Sequence, residues 1–127
     1  RSFSKVLIAV RPGRRNKRFI DVADKICRHF GASLTLLNIV SESDNNQKIK
    51  RTEKNSIELI SETKSKSAVK IIKSNNPVEA ISEESASYDL LILGTPEKDN
   101  WIRVLFGSGE DRFVKKAACS VLRLTIK

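Results

Sequence analysis

The residues best suited to chemistry in this sequence are glycines near the end of the chain. Gly94 ends an apolar run, Glu97 follows three positions later, and Gly107-Ser108 come after nine further residues. A glycine lets the backbone approach a phosphate closely, and a helix beginning beyond it offers free N–H groups and a favourable dipole. The hydroxyl of Ser108 adds a hydrogen-bond donor. The spacing indicates a phosphate-binding loop, provided that a strand precedes it and a helix follows it.

Five short apolar runs predict the strands that would hold this loop. They cover residues 5–10, 34–40, 68–72, 90–94 and 120–126, and their density is typical of strands buried on both faces. Helical patterns separate them: apolar spacing before Gly31, an N-cap and first-turn proline at Asn76-Pro77, and a helix over 108–118. This alternation predicts an α/β fold with three layers (α/β/α), a five-stranded parallel sheet and right-handed crossovers.

The segment between the second and third strands is harder to interpret. Residues 41–47 are polar and predict a loop, and residues 48–63 show a helical apolar stripe only in their second half. The charged first half of that segment is predicted to be mobile.

Ligands of such folds bind beyond the carboxyl ends of the strands, where the strand order reverses. That edge contains the loops after Val10, Val40 and Gly94. The first of these loops is crowded by five cations, which are Arg11, Arg14, Arg15, Lys17 and Arg18. Because arginine makes forked contacts with phosphate, the loop either supports an anionic ligand or is a basic solvated loop.

The whole chain, read through these elements, resembles the universal stress protein family. The resemblance rests on Lys5-Val-Leu-Ile-Ala-Val10, Phe30-Gly-Ala-Ser-Leu-Thr-Leu-Leu37, Asn76-Pro-Val-Glu-Ala-Ile81, Asp89-Leu-Leu-Ile-Leu-Gly94, Leu105-Phe-Gly-Ser108 and Cys119-Ser-Val-Leu122. It implies the family's fold, a homodimer through the last strand, and binding of ATP or a related adenine nucleotide. It also implies nucleotide-binding positions at Val10, Arg11, Pro12, Ile39, Gly94, Glu97, Gly107, Ser108 and Gly109.

Two residues depart from the family's nucleotide-binding pattern, which reads G-x2-G-x9-G-[S/T] after the fourth strand. Glu97 stands at the second glycine, and its carboxylate would repel a phosphate. Arg11 stands where an acidic residue usually follows the first strand. These departures leave room for a different anionic ligand, such as a cyclic dinucleotide or a lipid headgroup.

Composition indicates the setting of the domain. The 127 residues, 39% hydrophobic and 31% charged, fit a single domain over residues 1–127. The chain begins at Arg1 and contains no methionine, so we expect a piece of a longer protein. No apolar run approaches the roughly 20 residues that span a bilayer. Two isolated cysteines, Cys27 and Cys119, indicate small buried side chains in a reducing cytoplasm.

The net charge of +9 is concentrated near the start of the chain. Residues 1–32 hold nine Lys/Arg against two Asp/Glu, whereas residues 75–127 hold seven against eight. This asymmetry favours an anionic partner, either nucleotide phosphate, a membrane surface or nucleic acid, or else a solvated face. Nucleic acid is the less favoured of these, because one Trp and one Tyr provide no visible stacking platform for bases.

Several other functions lack their motifs in this sequence. The loop after the first strand is neither G-x-G-x-x-G nor a P-loop, and Arg11 replaces the acidic residues of a response-regulator receiver. The only histidine, His29, stands at a helix end, so no general base accompanies a nucleophile and we expect no enzyme. Trp101, between the two halves of the glycine motif, either covers the ligand, anchors a partner or packs on the core.

Two functions remain from the sequence. The first is a nucleotide-responsive stress-protein domain that binds ATP or a related adenine nucleotide after the fourth strand. The alternative is the cytosolic regulatory domain of a membrane transporter or channel, whose degenerate site does not bind ATP and serves dimerisation, partner binding or another anionic ligand. In either case we expect pairing across a two-fold axis through residues 120–126, which are apolar and end the predicted sheet.

Overall fold

The computed structural model of the chain describes residues 4–10, 16–96 and 120–126. The strands are β1 (Lys5–Val10), β2 (Ser33–Val40), β3 (Ser67–Lys73), β4 (Leu90–Pro96) and β5 (Ser120–Ile126), and the helices are α1 (Asn16–Phe30), α2 (Asn46–Ile60) and α3 (Pro77–Ser85). The predicted helix over 108–118 lies outside the described residues.

The five strands form one parallel sheet in the order β3-β2-β1-β4-β5. The chain therefore runs outward from β1 through β2 to β3, and then returns past β1 to continue with β4 and β5. This confirms the predicted α/β class. It also places the reversal of strand order between β1 and β4, at the middle of the sheet.

Alternating side chains of the central strands build two apolar cores. Val6 and Ile8 of β1 pack with Phe19, Ala23 and Cys27 of α1, and residues of α2 join the same cluster. Leu7 and Ala9 point the other way and pack with Ile81 of α3. The sheet is thus covered by α1 and α2 on one face and by α3 on the other, which confirms the three layers.

The end of α1 is formed as its glycine predicts. Gly31 has a φ of 67°, a left-handed conformation that favours glycine, and the Ala32 N–H donates to the Cys27 carbonyl at 2.8 Å. The Cys27 side chain is fully buried, as predicted. Burial, with a smaller contribution from the charge of Asp24, raises the pKa of its thiol to about 11. This thiol is therefore protonated and unreactive at neutral pH.

Helix α2 is longer than its sequence pattern predicts. It begins at Asn46, inside the predicted loop, and the Asn45 side chain caps it by accepting from the Lys48 N–H at 2.8 Å. The prediction of a mobile charged first half is wrong: that half is helical, because the cap and an ion pair between Lys48 and Asp44 at 3.2 Å support the first turn. The inward face of this helix carries a buried polar group, Ser56, which hydrogen-bonds the buried Asn38 side chain of β2.

Helix α3 begins as Asn76-Pro77 predicts, with the Asn76 side chain accepting from the Glu79 N–H at 3.2 Å. Replacing Asn76 by alanine leaves that N–H without its partner, so we expect the free energy of unfolding to fall by about 1 kcal/mol. Asn55→Ala, on the exposed surface of α2, is the matched control and should leave stability nearly unchanged. Urea unfolding of the two variants measures the difference; equal stability would show that the cap does not contribute.

Candidate functional site

The strongest candidate site lies where the strand order reverses. Val10 and Gly94 are direct register partners, and they stand near the carboxyl ends of the two central strands, β1 and β4. In open parallel sheets, ligands bind in the crevice outside the strand ends at this position. The structure therefore brings together two of the predicted site residues, which lie far apart in the sequence.

The register of these two strands is held at their opposite end by Asp89. Its carboxylate accepts hydrogen bonds from the backbone N–H groups of Ser4 and Lys5 and from the Ser4 hydroxyl, all at 2.9 Å. The Asp89 N–H in turn donates to the Lys5 carbonyl at 2.8 Å. A carboxylate immediately before β4 thereby aligns β4 with β1, and this alignment places Gly94 beside Val10.

Ile39 occupies the neighbouring strand, β2, and is half-buried. It packs against the apolar cluster on the α3 face of the sheet, together with Ile72, Val78 and Tyr88. The structure therefore gives Ile39 a packing role beside the candidate edge. A ligand at this edge would find an apolar wall on the α3 face.

The loops that follow β2 and β3 are joined by one asparagine that the sequence patterns did not single out. The Asn75 side-chain oxygen accepts from the Ser41 hydroxyl at 3.0 Å and from the Glu42 N–H at 3.1 Å. Its side-chain nitrogen donates to the Glu42 carboxylate at 3.1 Å. The only sequence signal for this clamp is that Ser, Asn and Asp follow both strands, a composition typical of turns.

Carboxylates and capped helix ends lie around these two loops. Glu42 and Asp44 follow β2, and Glu79 lies in the first turn of α3. Asn45 and Asn76 already accept N–H groups at the starts of α2 and α3. Because an anion seeks free N–H groups and positive potential, the edge between β2 and β3 suits it poorly.

Several predicted site residues lie outside the described residues: Arg11, Pro12, Glu97, Gly107, Ser108 and Gly109, together with Arg14, Arg15 and Trp101. Of the five loop cations, Lys17 and Arg18 are described and belong to the first turn of α1. Lys17 pairs with Asp21 at 3.3 Å and with Glu62 at 3.0 Å. The hydrogen bond with Glu62, followed by that with Asp21, raises the pKa of Lys17 and keeps it charged.

A metal site is not seen in the part of the chain that the structure describes: no three His, Cys, Asp or Glu side chains there are grouped to hold an ion. His29 lies at the C-terminal end of α1, with its ring edge-on to that of Phe30 at 4.9 Å between centroids. Since α1 begins at the carboxyl edge of the sheet and ends at the amino edge, this histidine is remote from Val10 and Gly94.

The chain has one parallel sheet between two helical layers, and its strand order reverses between β1 and β4. Proteins of this class bind their ligands in the crevice at that point. The chain belongs to the universal stress protein family, which matches residues 2–124. A comparison with curated proteins gives no match.

Solved structures agree with this assignment at the level of the fold. A universal stress protein in complex with cAMP has a TM-score of 0.75 and 17% identity, with 98% of each chain covered. A universal stress protein from Archaeoglobus fulgidus in complex with dAMP has a TM-score of 0.69 and 13% identity, covering 97% of this chain and 98% of its own. A family protein from Arabidopsis thaliana with AMP bound has a TM-score of 0.61 and 16% identity, covering 98% and 92%.

Proposed function

We propose that the chain is a regulatory domain that binds an adenine nucleotide at the carboxyl edge between β1 and β4. The observation that carries this proposal is the register pairing of Val10 with Gly94 at the reversal of strand order. Gly94 is also the first residue of the motif Gly94-x2-Glu97-x9-Gly107-Ser108, which we call the glycine frame, so the frame begins at this crevice. Three proteins of the same fold, bound to cAMP, dAMP and AMP, support an adenine nucleotide as the ligand.

The negative charge of Glu97 favours binding of nucleotides with few phosphates over binding of ATP. Glu97 directly follows β4 in the sequence and brings a carboxylate to the glycine frame. Two like charges 4 Å apart repel by about 1 kcal/mol in water and about 4 kcal/mol near a protein surface. A triphosphate therefore loses more affinity from Glu97 than a monophosphate does. Arg11, which directly follows β1, supplies the opposite charge for a single phosphate group.

A regulatory role is proposed rather than a catalytic one. The only histidine of the chain, His29, is remote from the candidate crevice. The buried thiol of Cys27 has a raised pKa and lies within the α1 core, so it is no nucleophile for a bound ligand. Binding would then act through nucleotide-dependent contacts with a partner, in the cytoplasm.

A homodimer through β5 is the form in which we propose that the domain acts. β5 is the terminal strand of the sheet and pairs with β4 on one side. An edge strand offers its other side to a second copy across a two-fold axis. Light scattering at high concentration tests this, since a monomer would contradict the proposed dimer.

The alternative role, as the cytosolic domain of a transporter or channel, stays a prediction that the full-length gene would test.

Calorimetric titration with cAMP, AMP and ATP tests the nucleotide site. We expect the monophosphates to bind more tightly than ATP, and Glu97→Gly to tighten ATP by about tenfold because it removes a repulsive charge and restores a glycine. Glu97→Gln separates the two effects, since it removes the charge and keeps the side chain. Glu58→Gln, on the exposed face of α2, makes the same charge change away from the frame and should have little effect.

Two results would contradict this assignment. No heat with any adenine nucleotide at millimolar concentration would exclude the proposed ligand. Weaker ATP binding by Glu97→Gly would show that Glu97 contacts the nucleotide favourably. Cyclic dinucleotides belong in the same series, because tight binding of these alone would replace the adenine nucleotide by a different phosphate ligand.

A further inference from the structure

The described helices on the two faces of the sheet differ in charge. Helices α1 and α2, on one face of the sheet, contain eight Lys/Arg and four Asp/Glu, whereas α3, on the other face, contains three Glu and no Lys or Arg. The basic excess of the chain is therefore not confined to the loop after β1. It extends over a whole layer of the fold.

Three of the eight cations in this layer are neutralised by neighbours. Lys17 pairs with Asp21 and Glu62, Arg28 lies 3.5 Å from Asp24, and Lys48 lies 3.2 Å from Asp44. The other five are exposed and form no ion pair with any residue of the described ranges: Arg18, Lys25, Lys50, Arg51 and Lys54. Two anions, Glu53 and Glu58, share the exposed surface of α2 with them.

The unpaired cations of α1 and α2 stand on the outward sides of the two helices. Arg18 and Lys25 are seven residues apart on α1, which puts them on one stripe, away from the buried Ala23. Lys50 and Lys54 are four residues apart on α2, away from the buried Ser56. Both stripes therefore face the same solvent side of the sheet.

Two aliphatic side chains are exposed among these cations. Val22, on the turn between Arg18 and Lys25, is 39% exposed, and Ile57, one turn beyond Lys54, is 52% exposed. A surface that mixes Lys/Arg with exposed aliphatic groups fits the boundary between lipid headgroups and acyl chains. We name this surface, comprising Arg18, Val22, Lys25, Lys50, Arg51, Lys54 and Ile57, the basic helical face.

We propose that the basic helical face docks the domain on an anionic lipid bilayer. The charge of the face complements that of the bilayer, and each Lys or Arg near an anionic membrane strengthens binding by about fivefold. The α3 layer, with its three glutamates, is directed away from the membrane. None of the described helices is long and apolar enough to cross a bilayer.

Lipid fits this face better than nucleic acid does. A single strand requires aromatic side chains on which bases stack. Among the described residues, Phe19 is buried, Tyr88 packs on the apolar cluster of the α3 face, and Phe30 lies at the end of α1 against the His29 ring. Two of the exposed side chains among the cations, Val22 and Ile57, are aliphatic, which contributes to insertion among lipids and nothing to base stacking. The crevice between β1 and β4 lies at the carboxyl edge of the sheet rather than on the outward sides of α1 and α2.

Flotation of the chain with vesicles tests the proposal. We expect binding to vesicles of phosphatidylcholine mixed with phosphatidylserine, little binding to phosphatidylcholine alone, and a loss of binding as salt is raised. The triple variant Lys50→Gln, Arg51→Gln, Lys54→Gln removes three cations from the face and should weaken binding by about 100-fold. Its control is Lys66→Gln, Lys70→Gln, Lys73→Gln, which removes the same charge from β3 and the residue before it, including Lys70, which pairs with Glu84 at 2.7 Å. Thermal unfolding checks that both variants remain folded.

Each outcome of the flotation experiment either supports or overturns docking on an anionic bilayer. Binding to the charged vesicles that the α2 variant loses and the β3 control retains supports docking through the basic helical face. Absence of binding to those vesicles, or equal losses in both variants, overturns it. Tighter binding to a DNA oligonucleotide than to the vesicles, with the same dependence on the α2 cations, assigns the face to nucleic acid and also overturns it.

Discussion

Asp24→Ala should lower the free energy of unfolding by about 2–3 kcal/mol, although Asp24 lies far from the candidate crevice. Asp24 is a buried carboxylate of α1 that holds the turn between α2 and β3. It accepts from the Ser65 hydroxyl at 2.6 Å and from the N–H groups of Ser65 and Lys64 at 3.0 and 3.2 Å. Alanine would leave these donors without their acceptor, and the turn would lose its attachment to α1.

The pH dependence of stability tests whether the charge of the Asp24 carboxylate contributes to the free energy of unfolding. Burial alone would raise the pKa of Asp24, but the hydrogen bonds from Ser65 and Lys64 and the charge of Arg28 outweigh it and lower the pKa. The folded state therefore prefers the charged form, and this contribution is complete above the pKa of the unfolded chain, about 3.9. It disappears as the pH falls from there through the lowered pKa of the folded state.

The wild type and Asp24→Asn should therefore differ most at neutral pH, and their stabilities should converge below about pH 4. Asp21→Asn is the control, because Asp21 is exposed one turn earlier on the same helix and should change stability little. Chemical unfolding at a series of pH values measures both. A gap between wild type and Asp24→Asn that persists unchanged into acid would show that the charge of Asp24 does not contribute.

Local patterns predicted most of the fold in this protein. The run that ends at Val10 has apolar residues at every position that faces either core, so it could only be a strand buried on both sides. Gly31 and Asn76 mark helix ends because the left-handed backbone and the side-chain cap each favour one kind of residue. Such signals depend on residues close in the sequence and not on residues that the fold brings together from elsewhere in the chain.

The start of α2 and the polar clamps could not be predicted in the same way. The first half of α2 has a weak apolar stripe, since its inward side carries Thr52 and Ser56 beside Ile49, and Ser56 meets the buried Asn38 of another strand. The bonds of Asn75 to Glu42 and of Asp24 to Ser65 join residues 33 and 41 positions apart. Pairings of this kind depend on the assembled fold, so no local pattern in the sequence reports them.

The sequence predicted some features of the candidate crevice and could not predict others. Position alone predicted that the loops after Val10, Val40 and Gly94 share the carboxyl edge of the sheet, because the strands of an alternating α/β chain run parallel. The direct pairing of Val10 with Gly94 comes from the structure. The acidic character of the neighbouring edge, with Glu42 clamped by Asn75, emerges only from the fold. The acidic edge between β2 and β3 is therefore a poor place for an anion, which is why the crevice between β1 and β4 is the site that we propose.

Leu93→Ala should weaken nucleotide binding as well as stability, because Leu93 directly precedes Gly94 and is fully buried on the α3 face. Loss of the side chain leaves a cavity and should lower the free energy of unfolding by about 2–5 kcal/mol, within a total of about 5–15 kcal/mol for a domain. The backbone at Gly94 then loses its support. We expect affinity for AMP or cAMP to fall by roughly tenfold, equivalent to about 1.4 kcal/mol.

The matched control for this prediction lies two residues earlier on the same strand. Leu91 is equally buried in the same cluster, but it stands roughly 6–7 Å further from the carboxyl edge. Leu91→Ala should therefore lose as much stability as Leu93→Ala and keep its nucleotide affinity, as measured by calorimetry below the unfolding temperature of each variant. Equal losses of affinity would mean that binding follows overall stability, and unchanged affinity in both would move the nucleotide away from the β4 edge. A loss confined to Leu93→Ala ties the ligand to the crevice beside Gly94.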